Sequence, residues 1–276
     1  MKAAAGGIDG SGKERRRRPC LSFCILASGS RGNAIFVSDG STGILVDAGL
    51  SGIEIQRRMT AAGLVPQQIS AILVTHEHSD HIQGVGVLSR RFSIPVYMTD
   101  ATRSAAAGIG SIGDFRPITS GVPFCVNALE CHPFSLPHDA ADPVGFTFQR
   151  NGCKLGLATD LGTPTAMIKR HLNGCAALIL EANHDPRMLS EGPYPWPLKQ
   201  RIGSRTGHLS NASTLTLLEE LRHPELHVVV LAHLSETNNT PEKARQEIAP
   251  ALEGSATTLL VANQHRPGRI ITLTAD

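Results

Sequence analysis

The chain has 276 residues, 41% of them hydrophobic, enough to bury the core of one large α/β domain or two smaller ones. Its formal net charge of +2 gives no sign of a general nucleic-acid binder. No stretch approaches the roughly 18 apolar residues of a membrane span, and the first residues lack the apolar region of a signal peptide. These features favour a cytoplasmic protein that does not bind membranes, and they leave its oligomeric state open.

The first 19 residues differ in composition from the rest of the chain. They are rich in Gly and Ala and contain the run "KERRRR", which predicts a disordered basic tail. Such a run either contacts nucleic acid or is a solvated flexible end, and the lack of aromatic residues favours the second interpretation. Residues 20–276 contain no linker-like segment and are predicted to form a single domain.

From Cys20 onwards, apolar segments of strand length alternate with segments of helical periodicity. In the first half, strands are predicted at 21–27, 34–38, 43–49, 70–76 and 94–99, and helices at 52–63 and 81–91. In the second half, strands are predicted at 122–130, 144–149, 154–160, 176–182, 227–233, 257–262 and 269–275, and helices at 163–172, 209–222 and 241–252. Two β-rich halves with interspersed helices predict an α/β (α+β) fold of two packed sheets covered by helices.

The six cysteines form no CxxC pair, and five of them stand in apolar or strand-like segments. A chain of this length does not need a disulfide framework. The cysteines are therefore predicted to be reduced and mostly buried, as in a cytosolic protein.

One short stretch concentrates potential metal ligands. The segment "AILVTHEHSDHIQG" carries His76, His78, Asp80 and His81 immediately after a buried strand. As the strand leaves the sheet, residues two apart point the same way, so His76 and His78 can bind one ion. Asp80 and His81 begin a helix and turn towards a second position. Imidazole and carboxylate ligands suit Zn, Mn or Fe, and two such divalent ions are the predicted cofactors.

Two metals need further ligands, and the ends of other apolar segments supply them. His138 follows "FSLP", Asp160 ends "GLATD" and His233 ends "VVVLAH". Each is a candidate ligand because it follows or ends an apolar segment. Taken singly, each of the three is also compatible with a purely structural role.

In this order, the motifs resemble those of the metallo-β-lactamase superfamily. Asp47 in "ILVDAG" matches the first motif, "THEHSDH" the second, and His138, Asp160 and His233 the third to fifth. The resemblance implies a four-layer αββα sandwich with the site at the edge where the sheets meet.

The resemblance also implies a role for each of these residues. His76, His78 and His138 would hold one ion, and Asp80, His81 and His233 the other. Asp160 would bridge the two ions, and Asp47 would lie behind the ligands and orient them.

Further stretches resemble a narrower group within this superfamily. "ILASGSRGNA", "EANHD", "YPWPLKQRI" and "GHLSN" are similar to the YycJ/WalJ group, described as metal-dependent 5′→3′ exonucleases acting on DNA. The resemblance implies a DNA substrate with a 5′-phosphate end. The basic N-terminal tail is a departure from that pattern.

Phosphodiester cleavage requires a leaving oxygen to be protonated and an attacking water to be oriented. His208 in "GHLSN" is the candidate proton donor and Glu181 its holder, a pairing similar to that of the ribonuclease Z branch. Asp80 is the candidate to orient the water. The alternative for His208 is a residue that only caps a helix.

Residues outside the ligand set are candidates for binding the substrate. The turn "SGSRGN" offers NH and OH donors for a phosphate, and Lys199 and Arg201 offer charges for the DNA backbone. His184 is predicted to contact a terminal phosphate. An ordinary hairpin turn and a solvated basic face are the alternatives. The candidate substrate-binding residues are Ser28, Ser30, Asn33, His184, Lys199 and Arg201.

Three other functions compete with a DNA exonuclease. They are a small-molecule (cyclic) phosphodiesterase of the same fold, an RNA-processing nuclease, and a non-catalytic module stabilised by metal. The complete ligand set argues against the module, and the basic residues 199–205 favour a polymeric substrate over a small diester.

Overall fold

Two seven-stranded β-sheets face each other in the computed structural model, which describes residues 19–275. The strands are β1 (Pro19–Ala27), β2 (Ala34–Ser38), β3 (Gly43–Val46), β4 (Ile69–Leu73), β5 (Val96–Met98), β6 (Phe115–Pro117), β7 (Phe124–Val126), β8 (Leu129–Ser135), β9 (Val144–Arg150), β10 (Cys153–Ala158), β11 (Ala177–Glu181), β12 (Val228–Ala232), β13 (Thr258–Val261) and β14 (Ile271–Thr274). The first sheet has the order β14-β1-β2-β3-β4-β5-β6 and the second the order β13-β12-β11-β10-β9-β8-β7. The predicted tail lies outside the described residues except for Pro19, where β1 begins.

Nine α-helices connect the strands of the described chain. They are α1 (Gly52–Ala61), α2 (Ser79–Ile82), α3 (Val85–Phe92), α4 (Asp100–Ala105), α5 (Ala166–Leu172), α6 (Pro186–Glu191), α7 (Trp196–Ile202), α8 (Asn211–Leu221) and α9 (Pro241–Ile248). No helix in residues 19–275 is both long enough and apolar enough to span a membrane.

The alternation of side chains along each strand creates the layers. On β11, Ala177 and Ile179 point into a core shared by the two sheets, whereas Leu178 and Leu180 point outwards into a second core. Both sets are fully buried, because helices cover the outer face of each sheet. This explains why the central strands read as continuous apolar runs.

Each outer core is closed by helices from its own half of the chain. Helices α1 and α3 cover the first sheet, and α5, α8 and α9 cover the second, through Ile55, Met59, Leu88, Ile168, Leu217 and Ile248. The predicted four-layer αββα sandwich is confirmed. The prediction that residues 20–276 form a single domain stays a prediction.

The parallel strands place their carboxyl ends at one edge of each sheet. In the first sheet β3, β4 and β5 run parallel, and in the second β10, β11 and β12 do so. Side chains that follow these strands therefore gather where the two edges meet. This edge holds the candidate ligands.

The structure departs from the predicted elements in several places. The helix predicted at 81–91 is two helices, because the NH of Gly84 donates to the carbonyl of Ala48 instead of continuing α2. The strand predicted at 122–130 is the hairpin of β7 and β8, which turns at Asn127 with a φ of 51°. Helices α4, α6 and α7 and strand β6 were not predicted.

The prediction of six reduced cysteines is wrong for one pair. Cys20 on β1 and Cys153 on β10 form a disulfide across the shared core, with their Cα atoms 6.1 Å apart. The pair was not recognisable because 133 positions separate the two residues. Cys24, Cys131 and Cys175 are free and buried, as predicted, whereas Cys125 is exposed. Because disulfides are rare in the cytosol, the pair does not support the cytoplasmic location, which stays a prediction.

The shared core provides a test of the sandwich. Phe146 is fully buried between the sheets, so Phe146→Ala should lower the free energy of unfolding by about 3–5 kcal/mol. Ile53→Ala on the exposed face of α1 is the control and should change it by less than about 0.5 kcal/mol. Urea unfolding at equal metal content measures both. Equal effects of the two changes would contradict the assigned core.

Candidate metal centre and active site

The motif after β4 directs its side chains to two sides of the cleft. His76 and His78 lie in the extended segment, and their Nε2 and Nδ1 atoms are 3.0 Å apart. Asp80 and His81 lie in the single turn of α2, which rotates them away. Gly49 makes this turn possible, because a Cβ at Gly49 would overlap the carbonyl oxygen of Asp80.

The first cluster of donors is formed by His76, His78 and His138. Their nearest ring nitrogens lie within 4.8 Å of one another. The Nδ1 of His138 is 3.1 Å from the carbonyl of Gly207, which leaves its Nε2 facing the cluster. Burial, followed by the charges of His81 and His138, holds the pKa of His76 well below its usual range, which favours the neutral ring that a metal ligand requires.

The second cluster is formed by Asp80, His81 and His233. The Oδ2 of Asp80 is 3.5 Å from the Nε2 of His81 and 3.7 Å from the Nε2 of His233. The Nδ1 of His81 is 2.8 Å from the Oδ2 of Asp47, so that its Nε2 is presented to the cluster. Asp47 therefore lies where the sequence analysis expects it, behind a candidate ligand.

Asp160 stands between the two clusters. Its Oδ2 is 3.4 Å from the Nε2 of His81, and its Oδ1 is 3.9 Å from the Nε2 of His138. One carboxylate thus reaches a donor of each cluster. This is the arrangement that a bridging ligand requires.

Several buried atoms at this site have no hydrogen-bond partner in the described chain. They are the Nε2 atoms of His138 and His233 and the Oδ2 of Asp160. Leaving a buried polar atom unpaired costs about 1–3 kcal/mol, and these three converge on one cleft. Divalent ions would satisfy all of them, so the donor set fits the predicted pair of Zn, Mn or Fe ions.

Backbone conformation also aims these donors. Asp47, Asp160 and His233 follow β3, β10 and β12 and have φ values of 58°, 58° and 54°. Left-handed conformations cost a non-glycine residue roughly 1–3 kcal/mol. Three of the six left-handed non-glycine residues of the described chain therefore lie at the cleft, each just after a strand ends.

Glu181 is fully buried, and its carboxylate contacts four groups that surround the cleft. Its Oε2 accepts hydrogen bonds from the backbone NH groups of Leu161 and Leu209, at 2.9 and 3.0 Å. Its Oε1 is 2.8 Å from the Nδ1 of His208 and 2.9 Å from the Nδ1 of His233. The predicted Glu181–His208 pair is therefore in contact, and the hold of Glu181 on His233 was not predicted.

His208 lies at the mouth of the cleft with its side chain 21% exposed. Burial alone would lower its pKa, but the negative charge and hydrogen bond of Glu181 raise it above the usual value. The Nδ1 proton is committed to Glu181, so Nε2 is the nitrogen that can donate to a substrate.

Most of the NH and OH groups of the turn "SGSRGN" are already bonded within the protein, so few are left for a phosphate. The hydroxyl of Ser28 accepts the NH of His233, and the side chain of Asn33 bonds within the turn and contacts Asp80 and His81. Four backbone NH groups, those of Gly29, Arg31, Gly32 and Asn33, already have protein acceptors. Ser30 is exposed and lines the cleft, so it is the predicted residue of this turn that opens onto the cleft.

Helix α7 separates two of the predicted substrate-binding residues. Arg201 lies in the metal cleft, where it pairs with Asp139 beside His138. Lys199 and His184 instead line a different cavity on the far side of α7. The structure therefore does not bring His184 and Ser30 together, which corrects the predicted shared pocket for a terminal phosphate.

Two contributors were missed by the sequence analysis. The hydroxyl of Thr75 donates to Asp47 and is 3.0 Å from the Nδ1 of His76, so it links the ligands from behind. Asp139 neutralises Arg201. Both stand directly beside a predicted ligand, in "THEHSDH" and "PHDA", and that adjacency was the available signal.

Comparison with known proteins agrees with this geometry. A family model described as the beta-lactamase superfamily domain matches residues 42–234. The chain belongs to the metallo-β-lactamase superfamily. Since its buried His and Asp clusters are arranged for two ions, it is a metal-dependent hydrolase.

Curated relatives cover most of this chain. It is 41% identical over 244 residues to the exodeoxyribonuclease YycJ of Bacillus anthracis, covering 84% of this chain and 89% of the relative. It is 34% identical over 235 residues to the exodeoxyribonuclease WalJ of Streptococcus pneumoniae, covering 83% and 87%. The metallo-β-lactamase fold protein YhfI of Bacillus subtilis superimposes with a TM-score of 0.72 at 13% identity, covering 92% of this chain and 99% of that one, and so shares the fold.

The clusters predict metal stoichiometry. Protein purified without chelator should contain up to two transition-metal ions per chain, and Asp160→Ala should reduce that number because it removes the shared ligand. Asp114→Ala removes an exposed aspartate that pairs with Arg116 and should leave the content unchanged. Elemental analysis measures both. Full two-ion occupancy in the Asp160 variant would contradict the bridging assignment.

Proposed function

We propose that this protein is a dinuclear-metal phosphodiesterase that degrades DNA from 5′-phosphate ends in the 5′→3′ direction. The geometric observation that carries the hydrolytic part is the Glu181–His208 pair at the edge of the metal clusters. The similarity to two exodeoxyribonucleases over more than four fifths of the chain supports DNA as the substrate.

One group of residues would bind the metal ions and orient the attacking water. Two bound divalent ions supply positive charge for a phosphate and lower the pKa of water. His76, His78 and His138 would hold one ion, and Asp80, His81 and His233 the other, with Asp160 between them. Asp80, which lines the cleft, orients the attacking water.

His208 acts on the opposite side of the phosphate. Glu181 keeps the ring protonated and fixes its orientation, so Nε2 delivers a proton to the leaving 3′-oxygen. Arg201 lies in the same cleft, but Asp139 already neutralises it, so its role is to shape the cleft more than to attract the polymer.

We assign recognition of the 5′-phosphate end of the DNA to the solvent-exposed side of the turn that carries Ser30. Ser30 lines both the metal cleft and an adjoining cavity of about 480 Å³ that also contains Arg31 and Ser79. The Nε of Arg31 pairs with Glu236 at 2.6 Å, so the donors left for a terminal phosphate are the Ser30 hydroxyl and the NH₂ groups of the Arg31 guanidinium. This arrangement replaces the pairing of Ser30 with His184.

The proton donor can be separated from metal binding. His208→Ala should retain metals and fold but lose turnover by about 10²–10⁴-fold, the usual contribution of a general acid. His223→Ala is a matched control, because His223 also pairs through Nδ1 with a glutamate, Glu225, outside the cleft. Single-turnover assays with metal analysis measure both. Near-normal turnover in the His208 variant would contradict a proton-donating role and leave His208 as a structural residue.

Polarity can be tested with labelled substrates. Linear DNA with a 5′-phosphate should be degraded from that end, a 5′-hydroxyl should slow the reaction, and closed circular DNA should survive. Ser30→Ala should weaken the preference for the phosphate while leaving the metals in place. RNA of the same sequence is run in parallel. Efficient cutting of closed circles, or equal rates on both kinds of end, would leave a broader phosphodiesterase.

A further inference from the structure

A second cavity of about 360 Å³ lies behind helix α7, outside the metal cleft. Its volume falls in the range of roughly 300–1,000 Å³ that is typical of pockets for small organic groups. The described residues that line it include His184, Leu189, Ser190, Trp196, Lys199 and Gln200. None of these residues has a place in the hydrolytic mechanism.

Helix α7 is the wall between the two spaces. Leu198, Arg201 and Ile202 face the metal cleft. Trp196, Lys199 and Gln200 face the second cavity. These two sets follow the i, i+3, i+4 spacing of opposite helix faces. A strand that passes along α7 therefore meets both spaces.

Trp196 makes this cavity unusual. It is the one tryptophan of the chain, and 67% of it is exposed at the start of α7. A large apolar ring left in solvent is an available stacking surface. Leu189 is buried in the cavity wall and adds an apolar contact. Flat aromatic and aliphatic surfaces of this kind favour a planar ring as the ligand.

The cavity also offers unused polar groups. His184 is 4% exposed, and its Nδ1 has no hydrogen-bond partner in the described chain. Gln200 is exposed, and its amide makes no hydrogen bond to any described residue. Lys199 supplies a positive charge, one of its three NH donors being taken by the carbonyl oxygen of Ser190, and the described lining contains no carboxylate. Hydrogen-bonding edges with a positive charge suit a base attached to a phosphate backbone and disfavour a cationic ring.

The cavity is close to the site of cleavage. His184 follows Glu181 by three residues, so their Cα atoms are at most about 11 Å apart. Glu181 holds His208 inside the metal cleft, and His184 lines the cavity. A nucleotide near the scissile phosphate can therefore reach the cavity.

We propose that the cavity behind α7 binds one unpaired nucleobase of the substrate strand, which stacks on Trp196 while its edge bonds to His184 and Gln200. This inference rests on the proposed function, since it takes nucleic acid as the substrate. A base in the cavity cannot remain paired with a complementary strand. The enzyme therefore acts on single-stranded or frayed ends in preference to blunt duplex.

Because Trp196 is the single tryptophan, its fluorescence reports on this cavity directly. Metal-loaded protein is titrated with a cleavage-resistant phosphorothioate oligothymidine, and with an abasic strand of the same length and backbone as the matched control. We expect saturable quenching by the strand that carries bases. Removing stacking should weaken binding by about 5-fold to 150-fold.

Variants test the stacking surface and the base-edge hydrogen bond separately. Trp196→Ala and Gln200→Ala should weaken binding of a labelled oligothymidine, measured by anisotropy, while Trp196→Phe should retain most of the affinity. Both parent residues are exposed, so the variants should fold. Val122→Ala, an exposed apolar residue outside the cavity, is the control and should bind normally.

The outcomes distinguish this inference from the proposed function. Equal quenching by the base-bearing and abasic strands would show a phosphate site and overturn the base pocket. Degradation of linear DNA without any quenching would also overturn the pocket, while the exonuclease proposal would stand. Quenching without degradation by the same preparation would retain the pocket and overturn the nuclease. Absence of both would refute the two proposals together.

Discussion

The buried carboxylate of Glu181 orients both His208 and His233, and so determines the geometry of this half of the candidate site. It accepts two backbone NH groups and two imidazole Nδ1 protons, which fills its accepting capacity. A buried charge is tolerated only when it is paired in this way. Burial raises the pKa of Glu181, but the charges and hydrogen bonds of His208 and His233 together hold it below its usual range. The orientation of a candidate metal ligand, His233, and that of the proposed proton donor, His208, therefore depend on the same atom, Oε1.

The site as a whole depends on the packing of the two sheets. The first sheet supplies Asp47 and the donors that follow β4, and the second supplies His138, Asp160 and His233. Binding of ions between these donors would connect the sheet edges at one end of the sandwich. The Cys20–Cys153 disulfide connects the same two sheets through β1 and β10. Both connections act on the interface that the fully buried Phe146 and its neighbours fill.

Much of the architecture could be predicted because local sequence patterns indicate the strands and helices. Apolar runs of strand length and the spacing of helical residues led to the sandwich. The contact between Glu181 and His208 was also predicted, but from a family resemblance rather than from spacing. Asp160 and His233 were candidates because each ends an apolar segment, but their place in one site with the His76 motif came from the family resemblance. The structure accounts for that place because parallel strands share an edge.

The predictions failed where a contact joins distant segments. The NH of Arg31 bonds to the side chain of Gln264, which no local pattern near "SGSRGN" reveals. His184 lies just past the end of β11, where the two-residue alternation no longer tells which way a side chain points. Two prolines in "YPWPLKQRI" concealed the short helix that separates Lys199 from Arg201.

The pairing of β1 with β14 places the two ends of the described chain side by side, at one end of the sandwich. Pro19 pairs with Thr274, so the first and last described strands begin and end side by side. Strand β1 then runs from Pro19 towards Ser28 and the cleft, a path of roughly 26 Å at about 3.3 Å per residue. A fluorophore or a surface linkage attached directly at residue 19 or residue 275 would thus be anchored at the end of the sandwich away from the candidate metal ligands. Protein immobilised in this way would keep its cleft open to a long polymer, which suits measurements on single tethered molecules.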